Sequence, residues 1–240
     1  ARAVAAYATR RLLVSRFAIL SPEDPFGRAM AAAFEEEIAR RGGRVTKRAS
    51  YQGIFDLPAR VAQLLDRSAA GASVVPWDAL FVPDGTFAAK IARGRLRDAG
   101  ARNFKLLGTG LWNTPETARD ASLEGAVFSA AFSESDPRPA SRAFASSYRR
   151  TFDDAPDAVS AQANDVASLL MALIRTGSGN GPAHLRERLE VTSGIEGAAG
   201  ALRFEGGRVA QRGAIILTVR GGRIVPVSPG RSGETTRATP

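Results

Sequence analysis

The side chains of this protein that could do acid–base chemistry are its carboxylates, and two pairs of neighbouring ones fall in predicted loops. Glu23 is followed by Asp24, and Asp153 is followed by Asp154. A glycoside hydrolase needs two carboxyl groups that face each other across the substrate, about 5–9 Å apart. Neighbouring residues on one loop point in different directions, so neither pair meets that requirement. We expect these carboxylates to complement the positive end of a helix dipole instead.

The sequence offers still fewer residues that could act as nucleophiles or bind a metal. The chain contains no cysteine and one histidine, His184. The absence of thiols excludes thiol catalysis, disulfides and thiolate metal sites. A single imidazole in a polar helix start is expected on the surface rather than in a Ser-His-Asp relay. We therefore predict no catalytic residue, no metal and no cofactor, and a protein that is not an enzyme.

The formal net charge of +9 comes mainly from arginines that are dispersed along the chain. Aromatic residues do not alternate with them, as stacking on single-stranded nucleic acid would require, so nucleic acid is not an expected partner. Two explanations stay open: a diffuse attraction to anionic polymers or surfaces, and arginine enrichment from a GC-rich genome. No apolar run approaches the roughly 18 residues of a transmembrane span.

The elements that must position these side chains begin with a strand, a turn and a helix. Phe17–Leu20 is a short apolar run, and 28–41 carries one apolar stripe at helical spacing. The turn between them, 21–27, contains two carboxylates and two prolines. A phosphate-binding turn needs several glycines whose backbone N–H groups surround an anion, and proline lacks that donor. The turn therefore argues against a nucleotide-dependent enzyme.

Short apolar strands and amphipathic helices alternate over the first half of the chain. This pattern predicts an α/β fold with a Rossmann-like parallel sheet flanked by helices on both faces. The predicted strands are 17–20, 44–51, 79–82 and 104–107, and the predicted helices are 2–14, 28–41, a helix capped by Asp56, and 83–99. The second half is predicted to contain an extended segment at 124–132, helices at 139–152 and 160–177, strands at 202–204, 214–219 and 224–227, and a disordered tail at 228–240.

The order of these segments resembles the type I periplasmic binding protein superfamily, close to the branched-chain amino acid receptors of ABC importers. Each matching fragment is common alone, but many of them occur in the right order over residues 1–227. They are Phe17-Ala18-Ile19-Leu20 with Pro25-Phe26-Gly27, Asp78 to Asp84, Leu106-Leu107-Gly108-Thr109, Leu123 to Phe128, Tyr148 to Phe152 with Ala155-Pro156-Asp157, Ala161 to Val166, and Gly197 to Phe204.

The resemblance implies two α/β lobes joined by hinge strands, with a small ligand held between them. Residues 1–126 together with 212–227 are expected to form the second lobe, and residues 127–211 are expected to return into the first. Most of the first lobe's sheet has no counterpart in the sequence, so much of that lobe is expected to be absent. The apolar helix 160–177 would then lack its sheet and need another partner surface.

The resemblance also implies a ligand-binding site at the carboxyl ends of the strands, where ligands of parallel sheets bind. Phe26 stands where amino acid receptors commonly place an aromatic residue, and it can stack on a ligand without hydrogen-bonding it. The loop after the fourth strand offers Leu111 and Trp112 in place of a carboxylate for a ligand ammonium. Trp112 either covers an apolar or aromatic ligand or is part of the packing of its lobe. Asp84 either caps the following helix or faces the cleft, and Asp165 is expected to have a structural role at the hinge.

Two non-enzymatic functions follow from the resemblance. The first is a solute-binding receptor that closes on an amino acid or similar small molecule and presents the closed form to the membrane subunits of an ABC transporter. The alternative is a ligand-free envelope lipoprotein that activates a peptidoglycan synthase by protein–protein contact. The segment Phe81-Val82-Pro83-Asp84 resembles the sequences of these activator lipoproteins. The absence of a carboxylate for a ligand ammonium favours the same alternative. Both imply a periplasmic or envelope-anchored location, with the signal or anchor expected outside these residues.

Overall fold

The structure is a computed structural model that describes residues 1–67, 73–176, 181–192, 194–204 and 210–227. The tail predicted at 228–240 lies outside the described residues. The helices are α1 Arg2–Arg10, α2 Pro25–Arg40, α3 Leu57–Ala62, α4 Thr86–Asp98, α5 Pro115–Arg119, α6 Pro139–Phe152, α7 Ala158–Thr176 and α8 Pro182–Val191. The strands are β1 Arg16–Pro22, β2 Arg44–Tyr51, β3 Asp66–Arg67, β4 Ser73–Val74, β5 Ala79–Phe81, β6 Lys105–Gly108, β7 Val127–Ala130, β8 Ile195–Gly197, β9 Gly200–Arg203, β10 Gln211–Arg212, β11 Ile215–Arg220 and β12 Arg223–Pro226.

Seven strands form the main sheet in the order β12-β11-β7-β6-β5-β1-β2. The five strands from β2 to β7 in this order run parallel, whereas β11 and β12 are antiparallel additions at one side. The predicted α/β fold with a parallel sheet is confirmed. Gly221 and Gly222 make the tight hairpin between β11 and β12, with φ values of 57° and 73° that favour glycine.

Helices cover both faces of the main sheet because its strands alternate their buried side chains. Phe17 and Ile19 point to the face covered by α1 and α2, where Phe34 stacks on Phe81 with ring centroids 4.1 Å apart. Leu20 and its neighbours on the other face pack against α3 and α4. These two apolar layers hold the carboxyl ends of the strands in fixed positions relative to one another.

Two predicted helix starts had different outcomes. The Asp24 carboxylate accepts a hydrogen bond from the backbone N–H of Gly27 at 2.6 Å and caps α2, which confirms its predicted role at a helix start. Asp56 is the N-cap residue of α3, as predicted, but its side chain does not bond to the first turn of that helix. Its carboxylate accepts instead from the N–H groups of Gln52 at 3.2 Å and Gly53 at 3.1 Å, because the preceding loop folds back over it.

A second unit consists of α6, α7, α8 and a three-stranded sheet with the order β10-β9-β8. In helix α7, Leu169 and Leu173 are buried against the rest of this unit. Val166, Met171 and Ile174 are exposed, and 66% of the surface of Ile174 is accessible to solvent. This is the uncovered apolar side that was expected for the helix. None of the helices in the described part of the chain has the length and hydrophobicity needed to cross a membrane.

The boundary between the two units falls slightly later than predicted. Strand β7 pairs with β6 and β11 in the main sheet, so that sheet includes the chain up to Ala130 rather than residue 126. The small sheet ends at β10, and the chain re-enters the main sheet at β11. The assignment of these two units to the second and first lobes stays a prediction.

Candidate functional site

A cavity of about 930 Å³ lies at the carboxyl edge of the main sheet, between that sheet and the start of α7. Its lining is mostly apolar and comes from the first turns of α2, the loops after β6 and β7, the loop before α7 and the chain entering β11, with further contributions from Ala1, α5 and Ile224 of β12. Ligands of parallel α/β sheets bind at this edge, because the loops that follow the strands converge there. The cavity is therefore the first candidate for a binding site.

Phe26 lies in the first turn of α2 and lines the cavity, with 45% of its surface exposed. The turn that carries it depends on Gly27. A Cβ at that glycine would lie 2.4 Å from the carbonyl oxygen of Pro22, a contact that no other residue tolerates. This close backbone approach places the start of α2 over the end of β1. The role of Phe26 as a ligand contact stays a prediction.

The 3-10 turn Gly110–Trp112 places two predicted site residues in opposite environments. Leu111 is 51% exposed and lines the cavity, whereas Trp112 is fully buried. The indole packs on Gly108, where a Cβ would come within 2.3 Å of the ring, and its Nε1–H donates to the carbonyl oxygen of Asp84 at 2.6 Å. Of the two roles predicted for Trp112, this position corresponds to packing, since the ring has no surface to offer a ligand.

Asp84 connects two loops and is not among the residues that line the cavity. Its Oδ1 accepts from the N–H of Gly85 at 2.6 Å, and its Oδ2 accepts from the hydroxyl of Tyr51 at the end of β2. Helix α4 begins after Gly85 without a side-chain cap, so the predicted capping role of Asp84 is wrong. Burial, together with the hydrogen bond to Asp84, raises the pKa of Tyr51 and keeps its phenol a donor.

Arg212 lines the cavity where the chain passes from β10 to β11. Its guanidinium donates to Asp165 Oδ2 at 3.2 Å, in a pair whose side chains are only 19% and 2% exposed. The same carboxylate accepts from the backbone N–H groups of Ala198 at 2.6 Å and Ala199 at 2.9 Å. One buried carboxylate on α7 thus ties the β8–β9 turn to the crossing chain, which supports the structural role expected for Asp165.

Two carboxylates among the lining residues, Glu134 and Asp157, are already engaged by protein groups. Glu134 pairs with Arg149 at 2.7 Å, and Asp157 accepts from the N–H of Ser160 at 2.7 Å. That backbone hydrogen bond lowers the pKa of Asp157. A ligand ammonium would have to compete with these partners. In the described part of the chain, no group of three or more His, Asp or Glu residues is placed to hold a metal ion.

Asp136 stiffens the connection from β7 to α6 beside the cavity. It is almost fully buried and accepts from Nε of Arg138 at 2.8 Å. Burial alone would raise the pKa of Asp136, but the hydrogen bonds from Arg138 outweigh burial and the pKa is lowered. The carboxylate therefore stays ionised, and the loop between the two units is held by a charge-assisted hydrogen bond.

Sequence reasoning did not find several residues of the cavity wall, among them Met30, Ser129, Phe132 and Arg212. Met30 follows Phe26 by four residues on α2, so helical spacing could have indicated it. Ser129 and Phe132 lie at and beyond the end of β7, where the sequence predicts an extended segment but does not show which of its side chains face the cavity. The placement of Arg212 depends on a chain crossing that no local pattern indicates.

Both the sequence and the fold of this chain are similar to those of known proteins. The family model described as periplasmic binding protein matches residues 1–223. No curated protein matches the sequence. Solved structures do share the fold. A protein of Rhodospirillum rubrum, provisionally assigned as a branched-chain amino acid ABC transporter, is similar with a TM-score of 0.79 at 20% identity, covering 94% of this chain and 64% of that chain.

Two further structures extend the comparison. A leucine-binding protein of Thermotoga maritima gives a TM-score of 0.71 at 19% identity, covering 95% of this chain and 63% of that chain. A solute-binding protein of an R. palustris ABC transporter, in complex with benzoate, gives 0.67 at 17% identity, covering 94% and 61%. The chain spans less than two thirds of the length of these structures. At such identities the likeness establishes the fold and leaves the ligand open.

Proposed function

This chain belongs to the periplasmic binding protein family, and from that membership we propose that it functions as the extracytoplasmic solute-binding receptor of an ABC importer. The ligand is an amino acid or a similar small molecule. The observation that carries the proposal is the cavity of about 930 Å³ at the carboxyl edge of the main sheet. Its volume lies in the range of small-molecule sites, and its position is where such sheets bind ligands.

The apolar part of the ligand is expected to pack on Phe26 and Leu111. Both side chains line the cavity and are about half exposed, so a ligand would remove apolar surface from water on binding. Trp112 and Asp84 contribute indirectly, since the hydrogen bond between them holds the turn that carries Leu111. We therefore assign these two predicted site residues a positioning role.

The polar lining favours a ligand whose apolar body dominates its recognition. The loop after β6 contributes no carboxylate, and Glu134 and Asp157 are occupied by Arg149 and Ser160. A free ammonium group would therefore find no unengaged carboxylate among the lining residues that are described. The benzoate complex of the R. palustris protein is an example of this fold with such a ligand. Small aromatic acids accordingly belong beside branched-chain amino acids in the set of ligands to test.

Family membership also supports the proposed partners and location. A receptor of this type closes its two lobes on the ligand and presents the closed form to the transporter subunits in the membrane. We propose that the main sheet is the second lobe and that α6, α7, α8 and the small sheet belong to the first. The protein would then act in the periplasm or anchored to the envelope.

A thermal-shift screen tests the receptor function. The 240-residue chain is heated with branched-chain amino acids, benzoate and hydroxybenzoates, and with peptidoglycan fragments. At about 100-fold above Kd a specific ligand adds about 2.7 kcal/mol, which raises the Tm by several degrees. Leu111→Asp, which places a charge in the cavity wall, should abolish that shift. Phe55→Ser is the matched control, because Phe55 is exposed outside the cavity.

The alternative function is activation of a peptidoglycan synthase by protein contact. This function is favoured because Glu134 and Asp157 are already bound to Arg149 and Ser160, so the described lining offers no free carboxylate to an ammonium ligand. It predicts no thermal shift with any small molecule, and faster glycan polymerisation by a purified synthase when the protein is added. A ligand-induced shift that Leu111→Asp removes would contradict the alternative, whereas a flat screen would overturn the receptor function.

A further inference from the structure

The loop between α1 and β1 exposes a leucine in an unfavourable backbone conformation. Leu13 is 82% exposed and has a φ of 55°, in the left-handed region that residues other than Gly, Asn and Asp rarely adopt. The residues around it are held. The N–H of Arg11 donates to the carbonyl of Tyr7 at 2.8 Å, and the N–H of Val14 donates to the carbonyl of Ala8 at 3.1 Å. The loop is thus fixed on the protein body while its leucine faces solvent.

Arginines surround this leucine at the amino edge of the main sheet. Arg10 and Arg11 precede it in the chain, and Arg44 lies beside it because its backbone N–H donates to the carbonyl of Ser15 at 2.8 Å. All three arginines are exposed, and none forms an ion pair with a carboxylate in the described part of the chain. We call Leu13 with Arg10, Arg11 and Arg44 the leucine corner.

The basic surface continues beyond the leucine corner along the amino edge. Arg102 and Lys105 lie where β6 begins, and Arg220 and Arg223 flank the β11–β12 hairpin, which reaches the same edge because β11 is antiparallel to β7. All four are exposed. Seven strands at about 4.8 Å spacing give this edge a length of about 29 Å. The cations therefore form a row on one side of the molecule.

Carboxylates do not balance this row. Near the amino edge Asp78 is paired with Arg16 at 2.7 Å, Glu37 with Arg40 and Arg41, and Asp66 with Lys47. Glu124 accepts from the backbone N–H of Gly221 at 3.1 Å, and Asp98 is an exposed acid without an ion pair among the described residues. The carboxyl edge carries the acids Glu23, Asp24, Asp56 and Asp84 together with the exposed Arg28. The cationic row therefore lies opposite the main part of the cavity, and Ile224 beside Arg223 is the lining residue nearest to it.

We propose that the amino edge of the main sheet docks on a bilayer of anionic phospholipids, with Leu13 inserted at the acyl-chain boundary and the flanking arginines on lipid phosphates. Guanidinium groups bind phosphate oxygens in pairs of hydrogen bonds. An apolar insertion and a basic patch together supply the two weak signals that reversible membrane binding needs. Because most of the cavity lining lies at the opposite edge, this docking leaves the cavity open to solution there, and the inference stands apart from the identity of the solute.

The leucine favours a bilayer over a soluble polyanion as the partner. A nucleic acid or an anionic polysaccharide has no apolar interior to receive Leu13. Stacking on bases would require exposed aromatic rings at the same edge. The exposed phenylalanines of the described chain, Phe26, Phe55, Phe87 and Phe152, lie on other loops and helix ends. A polyanion would interact with the charges of this row alone, and the exposed side chain of Leu13 would make no apolar contact with it.

Co-sedimentation with vesicles tests the proposal. The 240-residue chain is mixed with vesicles of phosphatidylcholine alone, or of phosphatidylcholine and phosphatidylglycerol in equal parts, at physiological ionic strength. Leu13→Asn keeps a residue that tolerates the left-handed conformation but removes the apolar side chain, and should weaken binding to the anionic vesicles about tenfold. Replacing Arg10, Arg11 and Arg44 together by serine should weaken it about 100-fold.

Matched variants separate this surface from net charge and general hydrophobicity. Arg142, Arg150 and Arg175, which are exposed on α6 and α7, are replaced together by serine to remove the same charge elsewhere. Phe87→Ser removes an exposed apolar side chain at the opposite edge. Neither should reduce vesicle binding by more than about twofold, since both changes lie away from the proposed contact.

Three outcomes would overturn the inference. One is no preference for anionic over neutral vesicles. Another is an equal loss of binding with the two arginine triples, which would mean that net charge alone acts. The third is binding to heparin or duplex DNA that is as tight as binding to vesicles and unchanged by Leu13→Asn. That result would identify a polyanion surface instead of a membrane one.

Discussion

At the scale of single residues, the candidate site depends on two glycines that let large side chains approach the backbone. Gly27 allows the start of α2 to lie on Pro22, and Gly108 allows the Trp112 ring to lie flat on the end of β6. Neither glycine touches the cavity directly. Each one sets the position of an exposed apolar neighbour in the chain, Phe26 in one case and Leu111 in the other. These two glycines, which have no side chain, therefore determine where Phe26 and Leu111 stand in the cavity wall.

We expect Gly108→Ala to destabilise the protein by about 2 kcal/mol, because the new Cβ would overlap the Trp112 ring in a packed core. Urea unfolding followed by tryptophan fluorescence measures the change. Gly94→Ala is the control: it lies within α4 with open space around the added Cβ, and should stabilise by about 0.5–1 kcal/mol. Equal effects of the two substitutions would contradict the role given to Gly108.

At the scale of elements, buried carboxylates hold the turns and the chain crossing that connect the two units. Asp165 on α7 holds the β8–β9 turn through two backbone N–H groups and holds the crossing chain through Arg212. Asp136 holds the turn between β7 and α6 through Arg138. Among the described residues, no buried side-chain nitrogen or oxygen lacks a hydrogen-bond partner. Removing one of these carboxylates would therefore leave several donors unpaired.

Asp165→Asn should lower the free energy of unfolding by about 3 kcal/mol, because the amide turns an N–H₂ donor toward backbone donors and leaves the Arg212 charge unpaired. Asp153→Asn serves as the control, since Asp153 is an exposed helix-end residue with φ 52°, a conformation that asparagine also adopts. Denaturant unfolding of both variants measures the difference. A stability of the Asp165 variant equal to that of the control would show that the junction is held by packing alone.

The lowered pKa of Asp136 predicts how stability depends on acid pH. A carboxyl group whose folded-state pKa lies below its usual value of 3.8 stabilises the fold above that pH, and the contribution is lost as the pH falls through the folded-state pKa. Asp136→Asn should therefore flatten the fall in stability below about pH 4. Urea unfolding at a series of pH values compares the two proteins. Parallel curves would mean that Asp136 titrates alike in the folded and unfolded states.

At the scale of the whole molecule, the two units differ in how much of their surface is covered. The main sheet has apolar layers on both faces, with helices over each. The unit of α6, α7 and α8 has two smaller apolar clusters, and one side of α7 is uncovered. Local opening is easier where fewer apolar side chains are buried. The two units are therefore expected to differ in dynamics.

Hydrogen exchange should show this difference most clearly in two helices of similar length. Helix α1 has nine residues and buries Val4, Ala5 and Ala8, whereas α8 has ten residues and buries none. We expect the amides of α8 to exchange at least tenfold faster than those of α1, a gap of about 1.4 kcal/mol in opening free energy. Mass spectrometry after timed exchange measures both. Equal protection would mean that α8 opens only when the whole molecule unfolds.

The sequence by itself determined the fold class of this protein and the order of its larger elements. It indicated only the start of α8 and did not indicate α5 or the short strands β3, β4, β8 and β10, and helix α1 ends at Arg10 rather than at residue 14. Strand β2 at Arg44–Tyr51 and helix α6 at Pro139–Phe152 have the predicted bounds, because alternation and helical spacing are local properties that neighbouring residues impose. The parallel sheet followed from the alternation of such elements. The resemblance of the ordered segments to a known superfamily pointed to the same fold, which the family match confirms.

Only the tertiary structure decided which residues face the cavity. Leu111 and Trp112 are adjacent and both apolar, and nothing local distinguishes the exposed one from the buried one. The difference comes from Gly108 and Asp84, which receive the indole, and Asp84 lies 28 positions away in the chain. Arg212 enters the cavity wall for the same kind of reason, through Asp165 on a different helix. Burial depends on contacts between distant segments, and local sequence patterns carry no record of those contacts.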